Sequence, residues 1–323
     1  MTEYVEHSVD ASNIRLDKYL TTLLNNNYSR TKIRDLIDSG NVLLDGISAK
    51  PSYVLKGGEL LKYCINFSYP EIKENIESEN ININIIHEDE SIIVINKQSG
   101  LVVHPGSGNW SGTLLNGIIN KLRFDDTSSN LRPGIVHRLD KFTSGVMVVA
   151  KTPQSHSFIS DQFSNRTVKK EYRAIVWGGL DKSGTIEGKI ERSKKNRKTF
   201  LMSNSDAGRD SFTTYEVIED LQPLTYLSLF PKTGRTHQLR VHMKHIGHPI
   251  FFDSVYSGGI NMIKSFHVSY TPILKRLFSK LDRLMLHAYQ IEFTHPETKK
   301  KVQFFAPLPK DMELLLEVLR NEN

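Results

Sequence analysis

Between Gly134 and Lys151, two short apolar runs, Ile135–Val136 and Val146–Ala150, bracket a polar loop. His137, Arg138, Asp140, Lys141, Thr143 and Ser144 crowd into eight positions of it. Apolar runs this short predict buried strands rather than helices. A loop slung between two buried strands can hold a carboxylate rigidly, and that requirement constrains the rest of the chain. Asp140 either caps a turn beside Gly145 or carries chemistry, and spacing alone leaves both readings open.

At 323 residues the chain is long for one domain, so two are expected. Its 42 Lys and Arg against 36 Asp and Glu give a net charge of +6, which suits an anionic partner, nucleic acid being the simplest. The single cysteine, Cys64, excludes an internal disulfide framework and cysteine-built metal clusters, and fits a reducing compartment. Neither a signal-peptide pattern nor a membrane-length apolar run occurs, so a cytoplasmic protein without membrane contact is expected.

The N-terminal region predicts two helices followed by short strands. Leu16, Leu20, Leu23 and Leu24 form a helical face that Asn25–Asn27 ends. A second helix runs from Ser29 as N-cap, through Ile33, Leu36 and Ile37, to Gly40. Asp45–Gly46 marks a hairpin turn. Residues 1–65 carry eight basic and eight acidic side chains, so this unit has no net positive field, and Arg30, Lys32 and Arg34 form a local basic cluster at the second helix start. The boundaries are placed at 1–67 for this unit, 68–80 for a polar, acidic linker and 81–323 for a second domain.

That second domain reads as α+β, a mixed and largely antiparallel sheet with flanking helices. Strands are expected at Ile81–Ile86, Ser91–Asn96, Lys169–Trp177, Gly208–Glu219 and Leu224–Phe230, with helices opened by Ser111, by Thr152–Pro153 and by Thr236. Gly106, Gly108 and Gly112 lack the Lys-Ser/Thr and the acidic ribose partner that a nucleotide loop needs. His237, His242, His245 and His248 are spaced five, three and three apart, which does not match a zinc-binding helix. Arg192, Lys194, Lys195, Arg197 and Lys198 place five cations in seven positions; such a run is either a solvated loop or a phosphate contact.

Several of these segments together resemble the RluA-type pseudouridine synthase family. His137-Arg-Leu-Asp140, two residues, then Thr143-Ser-Gly145 matches its catalytic motif without a gap, and the resemblance extends over about residues 13–312. Arg15–Leu20, Ser29–Ile33, Gly40–Val42 and Leu55–Glu59 resemble the small RNA-binding domain named after the fourth protein of the small ribosomal subunit. Lys97–Gly106 is similar to the family's first motif with Gln98 in place of Pro, and His248–Tyr256 has Phe252 where Gly usually precedes Asp253.

The resemblance implies that Asp140 is the catalytic residue, that Tyr172 stacks on the target base and that Arg235 pairs with Asp140. It implies further that Arg138 fills the stack vacated by a flipped nucleotide and that Leu286 walls the pocket. The expected activity is conversion of uridine to pseudouridine in RNA, with ribosomal RNA the expected partner, no cofactor, no metal and a monomeric enzyme. A non-catalytic RNA-binding or ribosome-assembly protein is the alternative from another class. A carboxylate glycosidase would need a second acid near Asp140, which the sequence does not display.

Overall fold

A computed structural model describes residues 4–24, 30–64, 76–106, 109–124 and 132–322. The chain divides into two compact units, residues 1–75 and 76–323.

In the first unit, strand β1 (Tyr4–Ser8) precedes helices α1 (Leu16–Leu23) and α2 (Arg30–Asp38), and β2 (Val42–Leu44), β3 (Ile47–Ser48) and β4 (Leu60–Cys64) follow. The sheet order is β1-β4-β2-β3, all antiparallel. Leu16, Leu20, Ile33, Leu36, Ile37 and Leu61 fill its core, each almost fully buried, so the helical face read from the sequence is the packed one. The hairpin turn has both Asp45 (φ 49°) and Gly46 (φ 80°) in the left-handed region, as a primed two-residue turn requires. Arg15 clamps Asp17 at 2.9 and 2.8 Å, and Arg34 approaches the same carboxylate at 3.5 Å, so Arg34 is partly neutralised. Ser29 and Asn25–Asn27 lie outside the described residues, as do the side chains of Arg30 and Lys32.

The second unit opens with β5 (Asn84–Glu88), β6 (Ile92–Lys97), α3 (Leu114–Ile118), β7 (Ser144–Ala150), α4 (Pro153–Ser164) and β8 (Lys169–Trp177). It continues through β9 (Ser183–Arg192), β10 (Phe200–Ser203), β11 (Arg209–Leu221), β12 (Leu224–Pro231) and α5 (Gln238–His245). After short 3-10 turns come α6 (Thr271–Lys280), β13 (Leu286–Thr294), β14 (Lys301–Phe305) and α7 (Lys310–Glu322). Ten strands form one sheet in the order β10-β9-β11-β12-β8-β13-β7-β6-β5, with β14 paired to β13. This is the mixed, largely antiparallel α+β architecture expected. Its parallel contact joins β13 to β7, His287 opposite Ser144 and Ala288 opposite Gly145.

Gly145 explains part of the motif around it. Its φ is +115° and a Cβ there would lie 2.1 Å from the carbonyl oxygen of Ala288, so only glycine allows the two strands to meet. Among the described residues, the two larger hydrophobic clusters of this unit pack around Trp177, Leu227, Phe251 and Met285 and around Ile93, Met147, Val149 and Ile159. Tyr172 packs against both, which places it at the seam between them.

Four local expectations are corrected. Residues 76–80, read as linker, belong to the second unit: Glu79 N–H donates to Asn116 O, the Asn116 amide to Glu77 O, and Gly112 N–H to the Glu79 carboxylate. Thr113, not Ser111, caps α3 through a reciprocal box with Asn116. Ile135 forms only an isolated bridge to Val149, because Pro133 and the left-handed Gly134 break the run before it. Thr236 is not the cap of α5; His237 is, in a left-handed conformation (φ 58°).

Candidate active site

The loop before β7 is held from below by groups that do no chemistry themselves. His137 stacks on Phe163 with ring centroids 4.6 Å apart, and its Nε2 accepts the Val148 N–H at 3.0 Å. An accepting Nε2 requires a neutral ring, in line with burial lowering the His137 pKa to about 3. Lys97 is fully buried and its ammonium donates to the carbonyls of Gln98, Leu101 and Lys141 at 2.9–3.1 Å. Three acceptors match its three donors and tie the first motif to the loop that carries Asp140. The loop closes on itself where Thr143 N–H donates to Asp140 O, so Asp140 does sit in a turn, contributing its main chain.

The Asp140 side chain faces a cavity of about 130 Å³ that Arg138, Tyr172, Arg235, Arg240 and Leu286 also line. Of the residues the sequence places at substrate or catalysis, Asp140, Arg138, Tyr172, Arg235 and Leu286 therefore share one cavity, and the Arg192–Lys198 run lies outside it. Their pairing differs from expectation. Arg240, not Arg235, meets Asp140, its Nη1 donating to Oδ2 at 3.3 Å, while the Arg235 Nε donates to the carbonyl of Asp210 at 2.9 Å.

The reason lies in the start of α5. Gln238 accepts from Thr233 Oγ1 and Arg235 N–H, and donates to Phe212 O and Thr213 Oγ1. That clamp fixes Arg235 in the turn before the helix and sets Arg240 inside its first turn, where it is buried.

Arg240 is itself fixed. Asp253 accepts its Nε and Nη2 at 2.7 and 2.9 Å, a bidentate pair, and the Tyr256 ring lies under its guanidinium at 4.8 Å. Burial disfavours the charge, but the carboxylates of Asp253 and Asp140 outweigh it and raise the Arg240 pKa. His237 completes this wall. Its Nδ1 is 2.8 Å from the Tyr256 hydroxyl, which also accepts the Phe200 N–H, and its Nε2 faces Asp140 Oδ2 at 3.8 Å.

Asp253 was not picked out by the sequence reading, although the motif around it was. Phe252 replaces glycine there and still adopts φ 68°, so the loop keeps the backbone that glycine would give. Its ring packs on Phe278 at 4.2 Å and edge-on to Phe251, contacts that offset the strain. Lys170, also unforeseen, lines the cavity; burial lowers its pKa to about 8. Burial and, secondarily, the Asp140 charge push the Tyr172 phenol upward, so it stays protonated at neutral pH.

The tip of the β9–β10 hairpin carries the five-cation run. Arg192 is tied back, donating to Arg197 O and stacking on Phe200 at 4.9 Å, whereas Lys194, Lys195, Arg197 and Lys198 are exposed. Asn196 and Lys198 help line a second cavity, about 580 Å³, that Asp140 and Arg138 share. Three of the four histidines weighed as metal ligands have other partners: His237 as above, His242 Nε2 on Ser211 Oγ at 2.8 Å, and His248 Nδ1 on Trp177 O at 2.9 Å.

What this arrangement offers is one carboxylate, held by a guanidinium that is itself immobilised, beside an aromatic phenol in a partly desolvated pocket. Such a group can attack an electrophilic carbon or take a proton from one. Profiles described as RNA pseudouridylate synthase and S4 domain match residues 91–245 and 14–61, respectively. A Chlorobaculum parvum protein named as an uncharacterized RNA pseudouridine synthase is 41% identical over 95% of this chain and 94% of its own length.

The chain belongs to the RNA pseudouridylate synthase family. Ribosomal large subunit pseudouridine synthase D of Xylella fastidiosa is 39% identical over 97% of this chain and 91% of its own. The structure titled Human RNA Pseudouridylate Synthase Domain Containing 4 is 25% identical, with a TM-score of 0.54 over 73% of this chain and 93% of that one. The reading as an RNA-modifying isomerase with an N-terminal RNA-binding domain therefore stands over that of a non-catalytic binder.

Proposed function

We propose that the protein converts uridine to pseudouridine in large-subunit ribosomal RNA, with Asp140 as the catalytic carboxylate. The observation that carries this reading is Asp140 set against Arg240 at 3.3 Å at a cavity walled by Tyr172 and Leu286. The relatives named as ribosomal large subunit pseudouridine synthase D support the target class. In the reaction the C1′–N1 bond breaks, the uracil turns, C1′–C5 forms, the proton on C5 leaves and N1 takes one up.

Asp140 serves it by attacking the sugar or the base, or by removing a sugar proton; each needs the carboxylate aimed into the cavity, and the contact from Arg240 Nη1 helps to aim it. Tyr172 stacks on the base and, as a phenol, can pass a proton without acting as an anion. Leu286 limits the room for the base, and Arg138, exposed at the mouth, fills the gap the flipped nucleotide leaves. Lys194, Lys195, Arg197 and Lys198 hold backbone phosphate beside the second cavity, with Arg192 bracing the hairpin. Arg30 and Lys32 add contacts from the N-terminal domain. Arg235 donates to the Asp210 carbonyl and not to Asp140.

We take the enzyme to act as a monomer. Among the described residues no helix is long and apolar enough to cross a membrane, and we place the enzyme in the cytoplasm with its RNA. Asp140→Asn is nearly isosteric. It should release no tritium from C5-labelled uridine RNA while binding that RNA within about three-fold of the unsubstituted chain, since only the chemical step is lost. Retained tritium release would remove Asp140 from the mechanism.

A further inference from the structure

Beside the Asp140 cavity lies a groove of about 590 Å³ whose walls carry Arg138, Arg166, Lys170, Arg209, Lys232 and Arg235 and no carboxylate. Its floor includes Phe163, the ring on which His137 stacks. The cations come from five separate places: the loop before β7, the turn after α4, strand β8, the start of β11, and the turn before α5. Nothing in the sequence groups them.

Arg235 is lowered in pKa by burial first, then by the charges of Arg209 and Arg166, with Asp210 offsetting part of this. Three guanidiniums thus repel one another across the groove. Among the described residues none of the six forms an ion pair with a carboxylate, in contrast to Arg240, which holds two. Arg166 stands in the left-handed region (φ 58°), a position after a helix that Gly or Asn would fill with less strain.

The groove and the 580 Å³ cavity share Arg138 and no other wall residue, and the small Asp140 cavity shares walls with both. A single strand whose target base enters the small cavity would therefore run one flank along each. Assuming the reaction proposed above, we infer that Arg166, Arg209 and Lys232, with Arg235, clamp the backbone phosphates of one flank only of the target uridine, while the β9–β10 hairpin serves the other. A cationic groove with an aromatic floor is the chemistry that single-stranded nucleic acid takes. It also gives Arg235 a role that its distance from Asp140 leaves open.

The test is a triple variant, Arg166→Gln with Arg209→Gln and Lys232→Gln, made in the full chain on the Asp140→Asn background so that nothing turns over. Two probes are used, each a single uridine extended by cytidines on only its 5′ side or only its 3′ side. For one probe, three lost contacts should flatten the slope of log affinity against log salt by about 2, from roughly 0.7 per phosphate on a single strand. The slope for the other probe should stay unchanged. A charge-matched control, Lys275→Gln with Lys300→Gln and Lys301→Gln, should leave both slopes as they were.

Equal loss on both probes, or equal loss in the control, would mean that the groove acts only through the overall field; no loss on either would mean it touches no phosphate. Each of these results overturns the inference. Pseudouridine formation by the unsubstituted chain on ribosomal RNA is measured alongside. Its absence would overturn the proposed reaction, whereas its presence with unchanged slopes would overturn the clamp alone.

Discussion

Two arginines five residues apart, Arg235 and Arg240, end in opposite surroundings. Arg240 is buried behind Asp140, with Asp253, Tyr256 and Asp140 around its guanidinium. Arg235 stands in the groove among Arg166, Arg209, Lys170 and Lys232, with a main-chain carbonyl as its protein acceptor. A cation each of whose three nitrogens meets a carboxylate is committed to setting geometry. Cations crowded together without carboxylates raise the energy of the free protein and lower it again when an anion arrives. The wall behind Asp140 is thus finished in the free protein, and the groove is completed only by its ligand.

The comparison is broken most forcefully by Arg240→Leu. Removing one partner leaves Asp253 charged, buried and without its bidentate donor, which costs about 3–5 kcal/mol. Thermal melting should fall accordingly and pseudouridine formation should cease. If melting hardly moves, the wall is not the rigid element described here.

Acid should attack the wall next. His242, on the same helix, donates Nε2–H to Ser211 Oγ, since the Ser211 hydroxyl proton is spent on Gly188 O, and among the described residues its buried Nδ1 has no partner. Burial first, then His245, lowers its pKa to about 4. His287 is likewise lowered to about 4, chiefly by burial. Both take up protons more readily when unfolded, near pH 6.5, so stability should fall as pH drops from about 6.5 toward 4, by on the order of a few kcal/mol. Denaturant midpoints across that range check the sign, and a flat profile would contradict neutral, buried rings.

Phe252→Gly should separate strain from packing. Glycine relieves the left-handed backbone by about 1 kcal/mol but gives up the ring contacts with Phe278 and Phe251, a loss of about 3 kcal/mol for a large aromatic. The net expectation is destabilisation of about 2 kcal/mol in chemical unfolding, with lowered turnover if Asp253 shifts. A gain in stability would mean that strain outweighs packing at this turn.

Arg235→Gln is the smallest effect on the fold, within about 0.5 kcal/mol, because no carboxylate depends on it. Its consequence should appear as weaker RNA binding with a reduced salt slope. If it instead destabilises as Arg240→Leu does, the contrast between wall and groove fails.

Much of this was legible in the residues. His137 to Gly145, the strands Lys169–Trp177 and Leu224–Pro231, and the cap Thr152–Pro153 are local patterns, and local patterns follow from alternation, capping and turn chemistry along a few neighbouring residues. The approach of Tyr172, Arg235 and Leu286 to Asp140 came through motif resemblance. The choice between Arg235 and Arg240 did not, because it depends on where α5 begins, and that is decided by the Gln238 clamp onto β11 and the left-handed His237.

Asp253 escaped notice because it lies far along the chain and acts through another side chain, and the groove because its cations arrive from scattered elements. Spacing along a chain determines which face a side chain takes on its own helix or strand. Which carboxylate it meets, and how far water is kept from the pair, is decided only when distant segments pack together and set the burial on which the strength of a charge depends.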